Sequence, residues 1–235
     1  RLRKGSYTAR DIFDVIQFWR SIHELSKRPS AKALPKAKEA CLSIAVGLGD
    51  VQKRLKELLR IGVPFVDTEL TPLFRRIEER IGNIVGEAHI DQGRILPRRY
   101  QTLSPSDFGF HNCLRNHHGK IVFIDFEYFG WDDPAKMVAD FFLHPTMNFP
   151  INLRTVFFNR ISYVLTDDKT FSKRLAIMYL LQSMRWCLIM LNIFRYSSVT
   201  RKDKRLAAIQ LAKAKTFAGK IQEELDTRPF PLTFV

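Results

Sequence analysis

Apolar residues recur at intervals of three and four along most of this chain, the periodicity of helices that bury one face. Over residues 9–25, Ile12, Phe13, Ile16, Trp19, Ile22 and His23 fall on one side of a predicted helix, which Lys27-Arg28-Pro29-Ser30 ends. A second helix is predicted over about 36–60, stopped by Gly62 and Pro64. Thr71-Pro72 opens a third, with Leu73, Ile77, Ile81 and Ile84 on one stripe and Gly86 at or near its end. Between Ile90 and Ser106 the helical period is lost. Ile121-Val122-Phe123-Ile124 then reads as a short strand buried on both faces. The turn Asn116-His117-His118-Gly119 precedes it, and Leu114 with the residues before it supplies the facing strand of a hairpin. Asp133 as cap and Pro134 at the first helical position start another helix, which Pro145 closes after about His144. Further helices are predicted over 152–165, 172–194 and 202–225, the last with Leu206, Ile209, Phe217, Ile221 and Leu225 near one face. The fold class is mainly α with a small β-hairpin, an α+β arrangement without internal repeats.

Composition narrows the picture. The chain has 235 residues, 46% of them hydrophobic, enough for the core of one large domain or two small ones. Its net charge is +14 with a pI near 9.9, which favours an anionic partner: nucleic acid, an acidic membrane surface or a phosphorylated ligand. The positive charges are spread along the chain, as on solvated helix faces, and no recognition helix or aromatic-basic strand pattern points to nucleic acid. The most apolar stretch, residues 178–194, contains Gln182 and Arg185, so a buried core helix is expected there and no membrane partner. Cys41, Cys113 and Cys187 stand far apart without paired spacing, which predicts reduced thiols in a cytoplasmic compartment. Trp19, Trp131 and Trp186 are expected in the core. The chain begins at Arg1 without a basic-then-apolar leader, and the expectation is a piece of something longer.

The chemistry concentrates between Leu103 and Phe141, in LSPSDFGFHNCLRNHHGKIVFIDFEYFGWDDPAKMVADF. Asn112 lies five residues after Asp107, and Asp125 lies thirteen after Asn112. A hairpin returns Asp107 and Asn112 to the strand end that carries Asp125. Phosphoryl transfer needs this set: one carboxylate orients an attacking hydroxyl and accepts its proton, while a second carboxylate and an amide oxygen hold Mg²⁺ against nucleotide phosphates. Mg²⁺ takes oxygen ligands and few of them from protein, which suits one Asp and one Asn.

D-x-x-x-x-N followed by a strand and I-D-F-E resembles the catalytic and metal-binding segments of the aminoglycoside phosphotransferase and choline kinase superfamily, closely over 103–141 and loosely elsewhere. The resemblance implies the C-terminal lobe of a protein-kinase-like fold. It assigns Asp107 as the catalytic aspartate, Asn112 and Asp125 as the ligands of Mg²⁺ and thereby of ATP, and Asp140 as a helix aspartate that braces the catalytic loop. Residues 9–25, ending in His23-Glu24-Leu25, resemble the helix after the hinge between kinase lobes. Residues 1–30 are then the post-hinge helix, 31–89 a helical segment, 90–145 the catalytic and metal-binding segment, and 146–235 the C-terminal helices. Two departures stand out. Pro105 occupies the position of the family's usual His. No glycine-rich phosphate loop or strand lysine appears upstream, so the N-terminal nucleotide lobe is expected to be absent from the chain, with an apolar patch exposed near Ile12, Phe13 and Ile124.

Other residues carry plainer readings. Glu127 is either a substrate or metal contact or an exposed strand-end residue. Asp133 reads as a helix cap and His111 as a loop histidine. Cys113, His117 and His118 lack a second ligand pair at zinc spacing. The implied activity is ATP-dependent O-phosphotransfer to a small hydroxylated acceptor such as a sugar, amino alcohol or aminoglycoside. The alternative is a kinase-like remnant that binds without turnover.

Overall fold

A computed structural model describes residues 7–147, 150–196 and 201–227. It is mainly α, with two small antiparallel two-stranded sheets. The residues divide into two compact units. Among the described residues, one is built from 7–43 with those in 94–179, the other from 44–93 with those in 180–227.

The first unit begins with α1, Ala9–Ser26. Thr8 caps it in a reciprocal box: its side chain accepts from Asp11 N–H while Asp11 accepts from Thr8 N–H at 2.9 Å. Ile12, Val15, Ile16, Trp19, Ile22 and His23 form the buried stripe, and α1 packs against the strand Thr102–Ser104 and the helix Ile151–Val164. Phe13 is one step off that stripe and lies 57% exposed, whereas Ile12 is 1% exposed. The expected apolar patch is therefore corrected: Phe13 faces solvent, Ile12 is core and Ile124 is half-buried.

The predicted helix over 36–60 begins only at Ile44, as α2 (Ile44–Ile61). Residues before it lie alongside the strand Gly130–Asp132, where Ala37 N–H donates to Trp131 O at 3.0 Å and Trp131 N–H to Pro35 O at 2.9 Å. Backbone groups committed to a strand are lost to an i→i−4 ladder. Gly130 permits the approach, since a Cβ there would meet Ala37 N and Pro35 O at 2.5 Å.

β1 (Thr102–Ser104) pairs antiparallel with β4 (Gly130–Asp132), a sheet the sequence pattern did not announce. The expected hairpin is β2 (Cys113–Arg115) with β3 (Ile121–Phe123). Asn116 closes its turn by accepting from the N–H groups of His118 and Lys120, both at 3.0 Å. β3 is shorter than expected and is not buried on both faces: Phe123 is buried and Val122 is 45% exposed. α4 (Pro134–Leu143) starts at the predicted Asp133 cap and buries all ten residues. Arg174 grips Asp133 with two bonds of 2.8 and 3.0 Å and reaches Asp168 at 2.9 Å. α5 spans Ile151–Val164 and α6 Phe171–Met190, a largely buried helix in which the chain passes from the first unit to the second.

The second unit contains α2, α3 (Thr71–Ala88), α7 (Ile193–Tyr196) and α8 (Arg201–Asp226). A single π-helical turn, Val66–Leu70, leads into α3, and left-handed His89 (φ 50°) caps it, so Gly86 lies inside the helix. α2 packs against α7, and Arg195 meets Glu57 at 2.7 Å. The helix predicted over 172–194 is interrupted after Met190 and resumes at Ile193. In α8 the buried positions are Ala207, Ala214, Ala218 and Ile221, while Leu206 and Ile209 are 43% exposed, which corrects the predicted apolar face. Small residues there allow close backbone approach that a pattern weighted by large side chains overlooks.

Candidate functional site

The loop between β1 and β2 carries Asp107 and Asn112 and is tightly bent. Asp107 N–H donates to Pro105 O at 2.9 Å across Ser106, whose φ is 69°, so the chain makes a γ-turn immediately before Asp107. Ser106 N–H donates to Ser104 Oγ at 3.0 Å and fixes its entry. Below the loop, Phe108 stacks on Phe141 of α4 at 4.9 Å and on Phe123 of β3 at 5.2 Å. Phe18 of α1 stacks on Phe123 at 4.0 Å. This aromatic floor holds the polar residues at the surface above it.

Asn112 is the link between the two carboxylates. Its Nδ2 donates to Asp107 Oδ2 at 3.1 Å and to Asp107 O at 3.0 Å. Its own carbonyl accepts from Ile124 N–H at 2.9 Å, one residue before Asp125. The β2–β3 register pairs Cys113 with Phe123, so Asn112 and Ile124 stand opposite each other just beyond it. Asp107, Asn112 and Asp125 thus gather at one end of the hairpin. α1 orients that hairpin: Asp11 pairs with Arg115 at 2.8 Å, and Asp14 accepts from Ile121 N–H at 3.0 Å. Asp125 has φ 68°, is exposed, and makes no hydrogen bond among the described residues. With both amide protons of Asn112 directed at Asp107, its Oδ1 has no donor among the described residues. An amide oxygen and a carboxylate are the ligand types that a hard cation such as Mg²⁺ takes. Glu127 is exposed and without a hydrogen bond among the described residues.

Sequence reasoning missed the histidines around Asp107. His111 Nε2 lies 3.0 Å and His144 Nε2 3.7 Å from Asp107 Oδ1, and the two rings stack at 3.8 Å and 11°. Gly109 makes room for His111, since a Cβ there would meet the imidazole at 2.6 Å. Burial raises the Asp107 carboxyl, but contact with His111, the charges of His111 and His144, and the Asn112 bond outweigh it and hold it below its usual value. Burial lowers His144 to about 4, with like-charge His111 adding to the effect, so its ring is neutral at pH 7. The signal for this pairing was weak: His111 adjoins Asn112, but His144 is brought in only by the end of α4.

Asp140 is buried, as expected of a brace, yet its partner is Lys136 on the same helix at 2.9 Å, and its Oδ1 has no hydrogen bond among the described residues. Lys136 also meets Asp132 at 3.2 Å, and Asp132 accepts from Cys41 N–H at 2.9 Å. Burial pushes both acids above their usual value, Lys136 opposing it, and the charge of Asp107 is felt at Asp140. The three cysteines are free and buried. No helix among the described residues is long and apolar enough to cross a membrane. Comparison of the chain with protein-family models and with characterised proteins yields no match.

Proposed function

We propose that this chain carries the carboxylate centre of an ATP-dependent O-phosphotransferase acting on the hydroxyl of a small acceptor. The observation that carries this reading is Asn112, hydrogen-bonded to Asp107 through its side chain and to the residue before Asp125 through its carbonyl. One amide thereby spaces a half-exposed carboxylate from an open pair of oxygen ligands. Asp107 is the group that orients an acceptor hydroxyl and takes its proton; held below its usual value, it is ionised at neutral pH and ready to accept. Asn112 and Asp125 would hold Mg²⁺, which supplies charge neutralisation at nucleotide phosphates when bound. The basic balance of the chain, +14, fits an anionic nucleotide and a neutral or anionic acceptor such as a sugar better than a cationic aminoglycoside.

The test is a phosphotransfer screen of the full-length protein with ATP, Mg²⁺ and an acceptor panel, followed by Asp107→Asn. That variant is expected to lower kcat by about a hundredfold or more while leaving nucleotide affinity nearly unchanged. An unchanged kcat removes Asp107 from the reaction, and no turnover with any acceptor favours a kinase-like module that binds without catalysis.

A further inference from the structure

Asp107 belongs to a second convergence of polar atoms, different in chemistry from the oxygen pair of Asn112 and Asp125. One ligand-capable atom from each of Asp107, His111 and His144 lies within 4.8 Å of the others. The stacked imidazoles present both Nε2 atoms to the same Asp107 Oδ1, at 3.0 and 3.7 Å. His144 is turned that way by Thr146, whose Oγ1 lies 2.7 Å from Nδ1 and whose N–H donates to it at 3.3 Å. Binding an ion through Nε2 places the ring proton on Nδ1, where Thr146 Oγ1, 2.7 Å away, can accept it in place of the backbone N–H bond. The 3.0 Å contact of His111 is not a sound hydrogen bond: both its ring nitrogens are buried, and neither has a partner of good geometry among the described residues. Buried ring nitrogens without a well-formed hydrogen bond, next to a carboxylate, are open to an added ligand.

We propose that Asp107, His111 and His144 form a binding site for a divalent transition ion of the zinc class. Zinc holds imidazole nitrogen and carboxylate oxygen at about 2.0–2.2 Å, and tetrahedral angles then separate ligand atoms by roughly 3.3–3.5 Å. The observed 3.0 and 3.7 Å lie on either side of that separation and the third pair of ligand atoms lies within 4.8 Å, so binding requires the stacked rings to splay toward a common point. Two imidazoles and one carboxylate suit zinc and disfavour Mg²⁺, which prefers oxygen ligands. The Asp107 side chain is 47% exposed, which leaves a fourth position open to water. The consequence for catalysis rests on the phosphotransferase reading: an ion on Asp107 Oδ1 draws charge from the carboxylate and weakens it as a base for the acceptor's proton. Zinc at this site is an inhibitor of turnover, relieved by chelation.

The experiment uses the full chain carrying His117→Ala and His118→Ala, so that the exposed histidine pair of the β2–β3 turn cannot contribute. Metal-free protein is titrated with ZnCl₂ by calorimetry and with Co²⁺ by visible absorption. Expected are about one zinc per chain, intense Co²⁺ bands of a four-coordinate ion, and about a tenfold or greater loss of affinity in His111→Gln and in His144→Gln. Asp107→Asn, at a half-exposed position that tolerates change, should lose affinity equally with its circular dichroism unaltered, while Asp125→Ala keeps zinc affinity. Zinc affinity unchanged in the histidine variants, or retained in Asp107→Asn, overturns the site. In the phosphotransfer assay, added zinc should inhibit the parent and spare His144→Gln. A protein without phosphotransfer activity defeats the kinase reading alone, because the titrations decide the metal site independently.

Discussion

Replacing Lys136 by Met removes the one cation from a buried trio and leaves Asp132 and Asp140 facing each other inside the first unit. Lys136 is 1% exposed, and its ammonium reaches Asp132 at 3.2 Å and Asp140 at 2.9 Å. Breaking a buried ion pair by deleting one partner destabilises by about 3–5 kcal/mol, because the remaining charge is neither solvated nor compensated. At about 2–4 °C per kcal/mol for a chain of this size, the variant should melt roughly 6–20 °C lower at pH 7. The pH dependence is more diagnostic. Burial already holds both carboxyls above 3.8, and Lys136 is the main influence pulling them down. Removing it raises them further. An acid whose folded value is raised keeps a proton the unfolded chain has lost, so its contribution is full below 3.8 and is lost as pH rises through the folded value. The deficit of Lys136→Met should therefore be greatest near neutrality and shrink toward acid, and Asp140→Asn added to it should restore part of the loss. Thermal unfolding by circular dichroism at several pH values measures this. A loss under about 1 kcal/mol at pH 7, or one that does not change with pH, would show that the trio is not the closed electrostatic unit described.

Three more outcomes are expected. Asp125→Ala should abolish Mg²⁺-dependent nucleotide binding and Asn112→Ala should weaken it less, since water replaces a neutral amide more easily than a carboxylate; full retention in both, by nucleotide titration with and without Mg²⁺, moves the site elsewhere. Gly130→Ala drives a methyl to 2.5 Å from the backbone at Pro35 and Ala37 and should lower stability by about 1–3 kcal/mol in denaturant unfolding. Gly109→Ala meets the His111 ring at 2.6 Å and the Met147 sulfur at 3.1 Å, both side chains and not backbone, so it should displace the imidazole with little change in melting, read as altered chemical shifts of His111 but not of His117.

Helices were legible where large apolar residues mark one face, as in α1 and α3, and where caps are explicit, as at Asp133. They were misread where tertiary pairing competes for the backbone, as along 34–43 beside β4. The β1–β4 sheet was invisible because Thr102–Ser104 and Gly130–Asp132 are three-residue strands with neither alternation nor a shared turn. The hairpin and the gathering of Asp107, Asn112 and Asp125 followed from spacing, since a short loop and a fixed register leave few alternatives. The histidine environment of Asp107 did not, because His144 lies 37 positions away and local pattern says nothing of such contacts. Zinc at Cys113, His117 and His118 was set aside on spacing alone, and in the fold the Cys113 thiol is buried and donates to Gly109 O while the two histidines lie in an exposed turn.

The backbone adds a physical reason to look for function at this end of the hairpin. Among the described residues, only His89, Ser106 and Asp125 are non-glycine positions with positive φ. His89 has an ordinary explanation as a helix cap. The other two adjoin or are the acids that Asn112 links. Each such residue costs about 1–3 kcal/mol and persists only where its surroundings leave no alternative. At Ser106 the Ser104 and Pro105 hydrogen bonds supply that constraint, and at Asp125 the Ile124–Asn112 bond does. Asp is among the side chains that tolerate the left-handed region, but Ser106 gains nothing from it except the turn that delivers Asp107 beside Asn112. A chain selected for stability alone would relax that turn or place glycine in it. Strain kept on both sides of one amide, with a half-exposed carboxylate next to it, is what the proposed function would account for.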